Sequence, residues 1–288
     1  MKKKPYKCLA VFRETTNSPN RENDDALILK AVTEELVKLG VFTSLIEPES
    51  LPCVDPAEWD AVLPMCENPP ALKTIKSWKG PLILNPISSV LNCYRVHMTP
   101  LMANCGDIHP PTELRPMDEL PGKPPAFWRG QGAWLKRGDV HNTCNHDVVY
   151  VGKWEECAEV KKDFQTRNIT SVVIQEHIPG DLIKFYGVGP MKWFHWFYHK
   201  PEAACNYKFD GKQLEKDAAV VARAVGLEIY GGDAIITPQG KIYVIDINSW
   251  PSFSRVRHDI KEHIAAHVHK RILGSEAKPR TSEKEKIS

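Results

Sequence analysis

The sequence contains no C-x-x-C pair, no apolar run approaching the roughly eighteen residues of a membrane helix, and no surplus of one charge sign. Each absence removes a class of function. Lys and Arg number 38 against 36 Asp and Glu, a net charge of +2, so no global field gathers nucleic acid or an anionic membrane. The eight cysteines, at 8, 53, 66, 93, 105, 144, 157 and 205, lie no closer than a dozen positions apart, which leaves no paired metal-binding or redox thiols. An even count is compatible with four disulfides, yet a chain of 288 residues with no secretion signal fits reduced thiols in the cytoplasm better. The basic start Met1–Lys4 is followed only by the short apolar stretch Cys8 to Phe12, which Arg13-Glu14 break before it reaches the length of a signal core. With 42% hydrophobic and 26% charged residues and 23 scattered prolines, the composition is that of an ordinary globular chain, long enough for about two domains.

What is present is an alternation of strand and helix signals. Cys8 to Phe12 reads as a buried strand, and Glu22 to Leu39 as a helix with apolar residues at Ala26, Leu29, Val32, Leu36 and Leu39 and a C′ glycine at Gly40. Strands at Val41 to Ile46, Ala61 to Met65 and Pro81 to Asn85, with a helix over Ala71 to Trp78, continue a β-α-β rhythm that predicts a small parallel α/β domain over residues 1–106. Six prolines between Asp107 and Pro125 predict an extended connector over 107–126. A second α/β unit follows, with strands at Ala133 to Arg137, Val148 to Val151, Val172 to Glu176 and Ile183 to Val188 around a helix over Trp154 to Arg167. The last third reads as a helix over Gln213 to Val225, strands at Tyr230 to Ile236 and Lys241 to Ile247, and a helix over Val256 to Ile272. A charged tail from Ser275 to Ser288 is expected to be disordered.

Three elements carry chemistry. Asp233 ends Gly231-Gly232-Asp233, and Asp246 and Asn248 lie two apart at the end of the next strand. Side chains i and i+2 share a strand face, so Asp246 and Asn248 point together and an antiparallel neighbour can bring Asp233 beside them. Two carboxylates and an amide oxygen suit Mg²⁺, which completes its shell with phosphate oxygens and water. The bland alternative is a turn with surface acids, but a carboxylate following the apolar run Ile242-Tyr243-Val244-Ile245 is costly without a partner. The second element is Trp134-Leu135-Lys136-Arg137-Gly138-Asp139, an ammonium at the end of a strand before a loop to Asn145. Alone, this is the pattern of a solvent-facing lysine, as His141 and His146 alone are exposed histidines rather than a zinc site. The third is Val173-Ile174-Gln175-Glu176-His177-Ile178-Pro179-Gly180-Asp181. Its strand end offers backbone groups that can read the edge of an adenine, with Asp181 able to accept from ribose hydroxyls and Lys184 to reach a phosphate.

In this order the three elements resemble the ATP-grasp superfamily in its glutathione-synthetase-like form, over roughly residues 85 to 270. The resemblance implies an α/β (α+β) fold in which a central subdomain, 127–190, and a C-terminal subdomain, 191–274, clasp ATP. It implies that Lys136 bridges nucleotide phosphates and that Gln175, Glu176, His177 and Ile178 form the adenine hinge. Asp181 would hold ribose, and Asp233, Asp246 and Asn248 would bind two Mg²⁺ ions, for which Mn²⁺ can substitute. One departure is visible, because a lysine expected near the start of the central domain is replaced by Arg95 or absent.

Most ATP-grasp enzymes are carboxylate–amine ligases, so the resemblance implies a carboxylate–amine (or thiol) ligase acting through an acyl phosphate on a small-molecule or peptide acceptor. Local likeness to inositol trisphosphate 5/6-kinases, in Lys136-Arg137-Gly138-Asp139-Val140-His141, Ile183 to Gly189 and Val244 to Asn248, keeps a hydroxyl kinase as the alternative, and a catalytically silent nucleotide-binding protein is a second. Against a polyphosphate acceptor, the N-terminal region supplies mainly Arg13, Arg21 and Lys30. Lys136, His141, Lys184 and Lys200 are the candidate catalytic residues, with His141 and the segment Trp193 to Lys200 facing the acceptor and Trp250 to Arg255 shaping its pocket. Oligomeric state is left open.

Overall fold

The computed structural model describes residues 4–17, 22–139 and 144–276, and Arg21, His141 and all but the first two residues of the charged tail lie outside that range. Among the described residues, three four-stranded sheets organise the fold. The first is parallel, ordered β2-β1-β3-β4, from β1 (Lys7–Val11), β2 (Phe42–Ile46), β3 (Ala61–Pro64) and β4 (Leu82–Ile83). Its central strand is apolar on both faces because both faces are covered. Cys8 and Ala10 face helix α1 (Glu22–Lys38), which buries Ile28, Leu29, Val32 and Leu36. Leu9 and Val11 face helices α2 (Pro69–Ser77) and α3 (Ile87–Asn92) through Ala71, Leu72, Ile75, Ile87 and Val90.

After α4 (Arg95–Ala103), the second sheet is antiparallel, ordered β5-β8-β6-β7, from β5 (Thr112–Pro116), β6 (Ala133–Arg137), β7 (Val148–Val151) and β8 (Ser171–Glu176). Helix α5 (Cys157–Thr166) covers one face, its Cys157, Val160 and Phe164 packing with Ala133, Leu135, Val172 and Ile174. By strand alternation Trp134, Lys136 and Gln175 point away from that core.

The third sheet is also antiparallel, ordered β10-β9-β11-β12, from β9 (Asp181–Val188), β10 (Trp193–Tyr198), β11 (Ile229–Ile236) and β12 (Ile242–Ser249), with the short turn α6 (Gly189–Lys192) between the first two. Helix α7 (Gly211–Val225), capped by the Asp210 side chain and ended by Gly226 at φ +89°, covers one face with Leu214, Ala218, Val221 and Ala222. The other face carries Lys184, Asp233 and Asp246.

The sheets divide the chain differently from the sequence expectation. The connector over 107–126 contributes β5, an edge strand, where prolines at 110, 111 and 116 cost no ladder hydrogen bond. Strand β9, expected within the central subdomain, belongs to the C-terminal sheet, and the aromatic segment from Trp193 forms its edge strand. The final helix α8 (Arg257–Glu276) packs on the first sheet beside α1, burying Ile260, Ile264, Val268 and Ile272 in the same cluster as Ile28 and Leu36. All eight cysteines are free, and among the described residues no helix is long and apolar enough to cross a membrane.

Polar clamps lock the first sheet onto the third. The fully buried Asn85 donates to the Ile229 carbonyl at 2.7 Å and to Ser249 Oγ at 2.9 Å, and accepts from the Glu228 and Ile229 N–H groups at 2.8 and 3.0 Å. The buried Trp250 donates its indole N–H to the Leu84 carbonyl at 3.0 Å. Replacing Asn85 by Ala strands all four partners, so Asn85→Ala is expected to destabilise the protein by about 2–4 kcal/mol, read as a lowered midpoint in guanidinium unfolding. A change within about 0.5 kcal/mol, the range of ordinary surface substitutions, would contradict this account of the clamp.

Candidate active site

The register of the third sheet builds the candidate site row by row. Lys184 on β9, Asp233 on β11 and Asp246 on β12 are direct cross-strand partners, and the next row is Tyr186, Gly231 and Asn248. The pairing slips between Asp233↔Asp246 and Ala234↔Val244, which leaves Ile245 as an extra residue on β12. Such a bulge re-aims a side chain, and here Ile245 and Asp246 both line the adjoining cavity while Val244 and Ile247 both stay in the core. Gly232 lets the strands approach, since a Cβ there would lie 2.3 Å from the Asp246 carbonyl oxygen.

Lys184 Nζ lies 2.7 Å from Asp233 Oδ1, and Arg95 Nη2 lies 3.7 Å from Asp246 Oδ2. Asp246 Oδ1 also accepts the N–H of Ile247 at 3.0 Å. The amide oxygen of Asn248 is buried and has no hydrogen-bond partner. Two carboxylates and an orphaned amide oxygen on one sheet face suit a hard divalent cation that takes its remaining ligands from phosphate and water. Among the described residues no three His, Cys, Asp or Glu side chains gather to hold an ion by themselves. The donor set therefore fits nucleotide-bound Mg²⁺ rather than a closed structural metal.

Between the second and third sheets lies a cavity of about 600 Å³ lined by Arg95, Trp134, Lys136, the chain from Gln175 to Gly180, Leu182, Ile235 and Ile245, with Asp233 and Asp246 at its end. Lys136 crosses the cleft. Its Nζ donates to Gln175 Oε1 at 2.7 Å and reaches the Ile245 carbonyl at 3.4 Å. Burial, reinforced by the neighbouring Arg95 charge and opposed by Asp246 and Asp233, pulls its ammonium down to a pKa of about 8. Behind Gln175 stands His109, whose Nε2 lies 3.3 Å from Gln175 Nε2 and 3.0 Å from Thr112 Oγ1, and whose Nδ1 lies 2.9 Å from the Val244 carbonyl. Burial pulls the imidazole down to about 4, so it is neutral at ordinary pH and donates from Nδ1, leaving Nε2 to accept from Gln175. That fixes the amide with its oxygen towards Lys136.

A second cavity, of about 310 Å³, opens on the other side of the same carboxylates. Asp233 and Asp246 line both. Its remaining walls include Lys184, Tyr186, Asn248 and Ser252 from the third sheet and its continuation, and Arg13, Asp25 and Glu67 from the first domain.

Most residues picked out in the sequence converge here: Lys136, Gln175, Glu176, His177 and Ile178 around the larger cavity, Lys184 and Asn248 at the smaller, and Asp233 and Asp246 between them. Two do not. Asp181 is buried and faces away, its Oδ1 accepting the Cys205 N–H at 2.7 Å and its Oδ2 the Tyr207 N–H at 3.0 Å, so it anchors the segment after β10 instead of facing a ribose. Lys200 is exposed, in a separate depression with Asp181 and His199, and lines neither cavity. The hinge is also less open than expected, because the Glu176 and His177 N–H groups already bond the Pro111 and Gly132 carbonyls at 2.9 and 3.3 Å. His141 lies outside the described residues. Trp134, whose indole N–H meets His177 Nδ1 at 3.1 Å, and His109 were not picked out as site residues, and the polarity of His109 beside Pro110-Pro111 was the only signal for it.

No family model and no curated protein sequence matches the chain. Solved structures do match. D-alanyl-alanine synthetase A from Vibrio cholerae O1 biovar eltor aligns over 95% of this chain and 99% of its own, with a TM-score of 0.69 at 10% identity. The VanG D-Ala:D-Ser ligase from Enterococcus faecalis aligns over 94% and 99%, at 0.68 and 13%. A RimK domain ATP-grasp protein from Sphaerobacter thermophilus aligns over 91% and 99%, at 0.64 and 15%. At such identities the likeness is one of fold.

Because only the protonated Lys136 attracts phosphate, affinity for a non-hydrolysable Mg-ATP analogue is expected to hold below pH 8 and to fall as pH rises through about 8. Calorimetric titrations between about pH 6.5 and 9.5 read this directly, and Lys136→Arg, charged throughout, is expected to remove the fall. An affinity in the unsubstituted protein that stays flat across pH 8 would contradict the phosphate role of Lys136.

Proposed function

We propose that this chain, which has the ATP-grasp fold, is an Mg-ATP-dependent carboxylate ligase that forms an acyl phosphate and releases ADP and phosphate. The observation that carries the reading is the junction of two cavities at Asp233 and Asp246, one of a size and lining suited to ATP and one suited to a small acceptor. ATP would lie in the larger, its base among Trp134, His177 and Ile178 and its phosphates towards Lys136, Arg95 and the paired carboxylates. Mg²⁺ held by Asp233, Asp246 and Asn248 would supply offsetting charge for the phosphates.

In the first step a substrate carboxylate oxygen bonds to the γ-phosphorus as the bond from that phosphorus to the β,γ-bridging oxygen breaks, and the electron pair leaves with ADP. In the second, an amine nitrogen bonds to the acyl carbon, phosphate departs with the carbon–oxygen pair, and the amine proton passes to water. The protein's contribution is placement and charge. Lys136 would steady the transferring phosphoryl group from the nucleotide side, and Lys184, held by Asp233, would do so from the acceptor side. No protein nucleophile is required.

A kinase acting on a polyphosphate would need free cations around the acceptor. The smaller cavity instead presents Asp25, Glu67, Asp233 and Asp246 against Arg13 and Lys184. Arg13 is committed to Asp25, Glu67 and the Met65 and Trp250 carbonyls, while Lys30 lies over the Phe12 ring. A cytoplasmic setting belongs to the same proposal, supported by the eight free cysteines.

The test is an ADP-release assay over carboxylic acids with hydroxylamine as a general amine trap. The ligase reading expects phosphate and hydroxamate to appear in equal amount with ADP, and Asp246→Asn to reduce all three by at least about a hundredfold while the unfolding midpoint is kept. ADP released without phosphate would point to a kinase, and an Asp246→Asn variant retaining most of its turnover would remove the metal assignment.

A further inference from the structure

Strand β2 leaves the first sheet unfinished. It bonds to β1 through its even-numbered residues, since the Phe42 N–H donates to the Tyr6 carbonyl at 2.7 Å and the Ile46 carbonyl accepts the Phe12 N–H at 3.0 Å. By ladder alternation the N–H and C=O groups of Thr43 and Leu45 point the other way, and among the described residues no further strand meets them. Such edges are ordinarily guarded by a charge, a proline or a bulge, as Pro116 guards β5. From Phe42 to Ile46 β2 has none of these, and every residue of it is at least partly exposed. The patch continues into the preceding turn, where Val37 is 56% exposed and Leu39 43%, beside Phe42 at 54%. An uncharged edge flanked by exposed apolar side chains is a surface built to be covered by another chain.

We propose that a second copy of this chain covers it, the two β2 strands pairing antiparallel about a two-fold axis at Ser44. The proposal stands apart from the ligase reading. A two-fold axis perpendicular to the sheet keeps each side chain on its own face, so only residues of matching parity can oppose one another. Centred on Ser44, it sets Thr43 against Leu45 of the second copy and Leu45 against Thr43 of the second copy, which pairs every outward N–H and C=O of both residues. The same register lays Phe42 opposite Ile46 of the second copy, an aromatic against a β-branched side chain. It also brings the exposed Glu47 of the second copy opposite Val41, at the turn that exposes Lys38, so opposite charges meet at both ends. Centring on Thr43 would instead oppose Leu45 to Val41, whose N–H is already given to the Leu36 carbonyl at 3.0 Å. With Val37, Leu39 and Phe42 included, the contact buries on the order of 1,000 Å² over both copies, the lower end of what a specific dimer needs. Its first-domain walls aside, neither cavity draws on β2, so no cavity-lining residue is spent in the pairing.

Sedimentation equilibrium of the full chain over about 1–100 µM is expected to show a monomer–dimer equilibrium with a Kd on the order of micromolar. Thr43→Pro removes an outward donor and spares every bond to β1, so it is expected to raise that Kd about ten- to a hundredfold, the loss of one main-chain hydrogen bond in each copy. Should Thr43→Pro fail to fold, Ser44→Lys, which sets two ammonium groups face to face on the axis, carries the same expectation. Ser44→Cys reads the register. The two Ser44 residues form the close, non-hydrogen-bonded kind of antiparallel pair, with Cα atoms about 4.5 Å apart and within disulfide reach. Mild oxidation of Ser44→Cys is therefore expected to give a covalent dimer joined at position 44, identified by peptide mass spectrometry. A chain that stays monomeric to about 100 µM overturns the proposal, since a dimer of this area would be populated there. So does a dimer whose Kd neither Thr43→Pro nor Ser44→Lys changes, which would place the interface on another face. A dimer weakened by these variants but never joined at position 44 would overturn the register centred on Ser44.

Discussion

Two carboxylates side by side on neighbouring strands are the constraint from which the rest of the site follows. Asp233 and Asp246 are direct cross-strand partners in an antiparallel pair, where like charges repel. Without compensation this pairing would weaken the hold of the edge strand β12 on the sheet. The structure supplies compensation from three directions: Lys184 from the adjoining strand, Arg95 from the start of α4, and the ammonium of Lys136 from the opposing sheet, whose protonated form both carboxylates favour. The cations are therefore as much part of the fold as the carboxylates, and each stands where a nucleotide's phosphates would also find it. A divalent ion completes the same neutralisation, with the unpaired Asn248 oxygen beside it.

The site's second feature is how the three layers share it. Strand β12 carries Asp246 and Asn248 and runs directly into Ser249 and Trp250, whose side chains and carbonyls are the anchor points for Asn85, Leu84 and Arg13 of the first domain. The wall of the smaller cavity is thus tied to the strand that carries Asp246 and Asn248. His109 does the equivalent beside the larger cavity, bridging the Val244 carbonyl of β12 to Gln175 of β8, and through it to Lys136 of β6. Misplacing either domain would move a charged group relative to the carboxylates, so on the proposed reading the packing between layers sets the geometry of the reaction.

Much of this was legible in the sequence. The period-two pattern of β11 and β12 placed Asp233, Asp246 and Asn248 on one face, and strands β6 and β7 have the bounds that apolar periodicity predicts. What escaped depends on residues far apart in the chain. Nothing local distinguishes Asp181 as a ribose contact from Asp181 as an anchor, because its partners are backbone groups of Cys205 and Tyr207 more than twenty positions away. The prolines around β5 masked a strand, since an edge strand tolerates them, and α8 reads as an appendage of the last third although its apolar face is completed by α1. The bulge at Ile245 has no composition signal at all. The acidic lining of the smaller cavity was invisible for the same reason, as Asp25, Glu67 and Asp233 come from three separate segments.

The central claim is that Asp233, Asp246 and Asn248 jointly hold the cation that carries a nucleotide's phosphates. A crystal structure of the protein with Mg²⁺ and a non-hydrolysable ATP analogue tests it most directly. The account predicts Mg²⁺ at about 2.0–2.1 Å from oxygens of these side chains and of the terminal phosphates, with the base against Trp134 and Ile178. An analogue bound elsewhere, or phosphates seated in the cleft with their metal away from all three side chains, would contradict it.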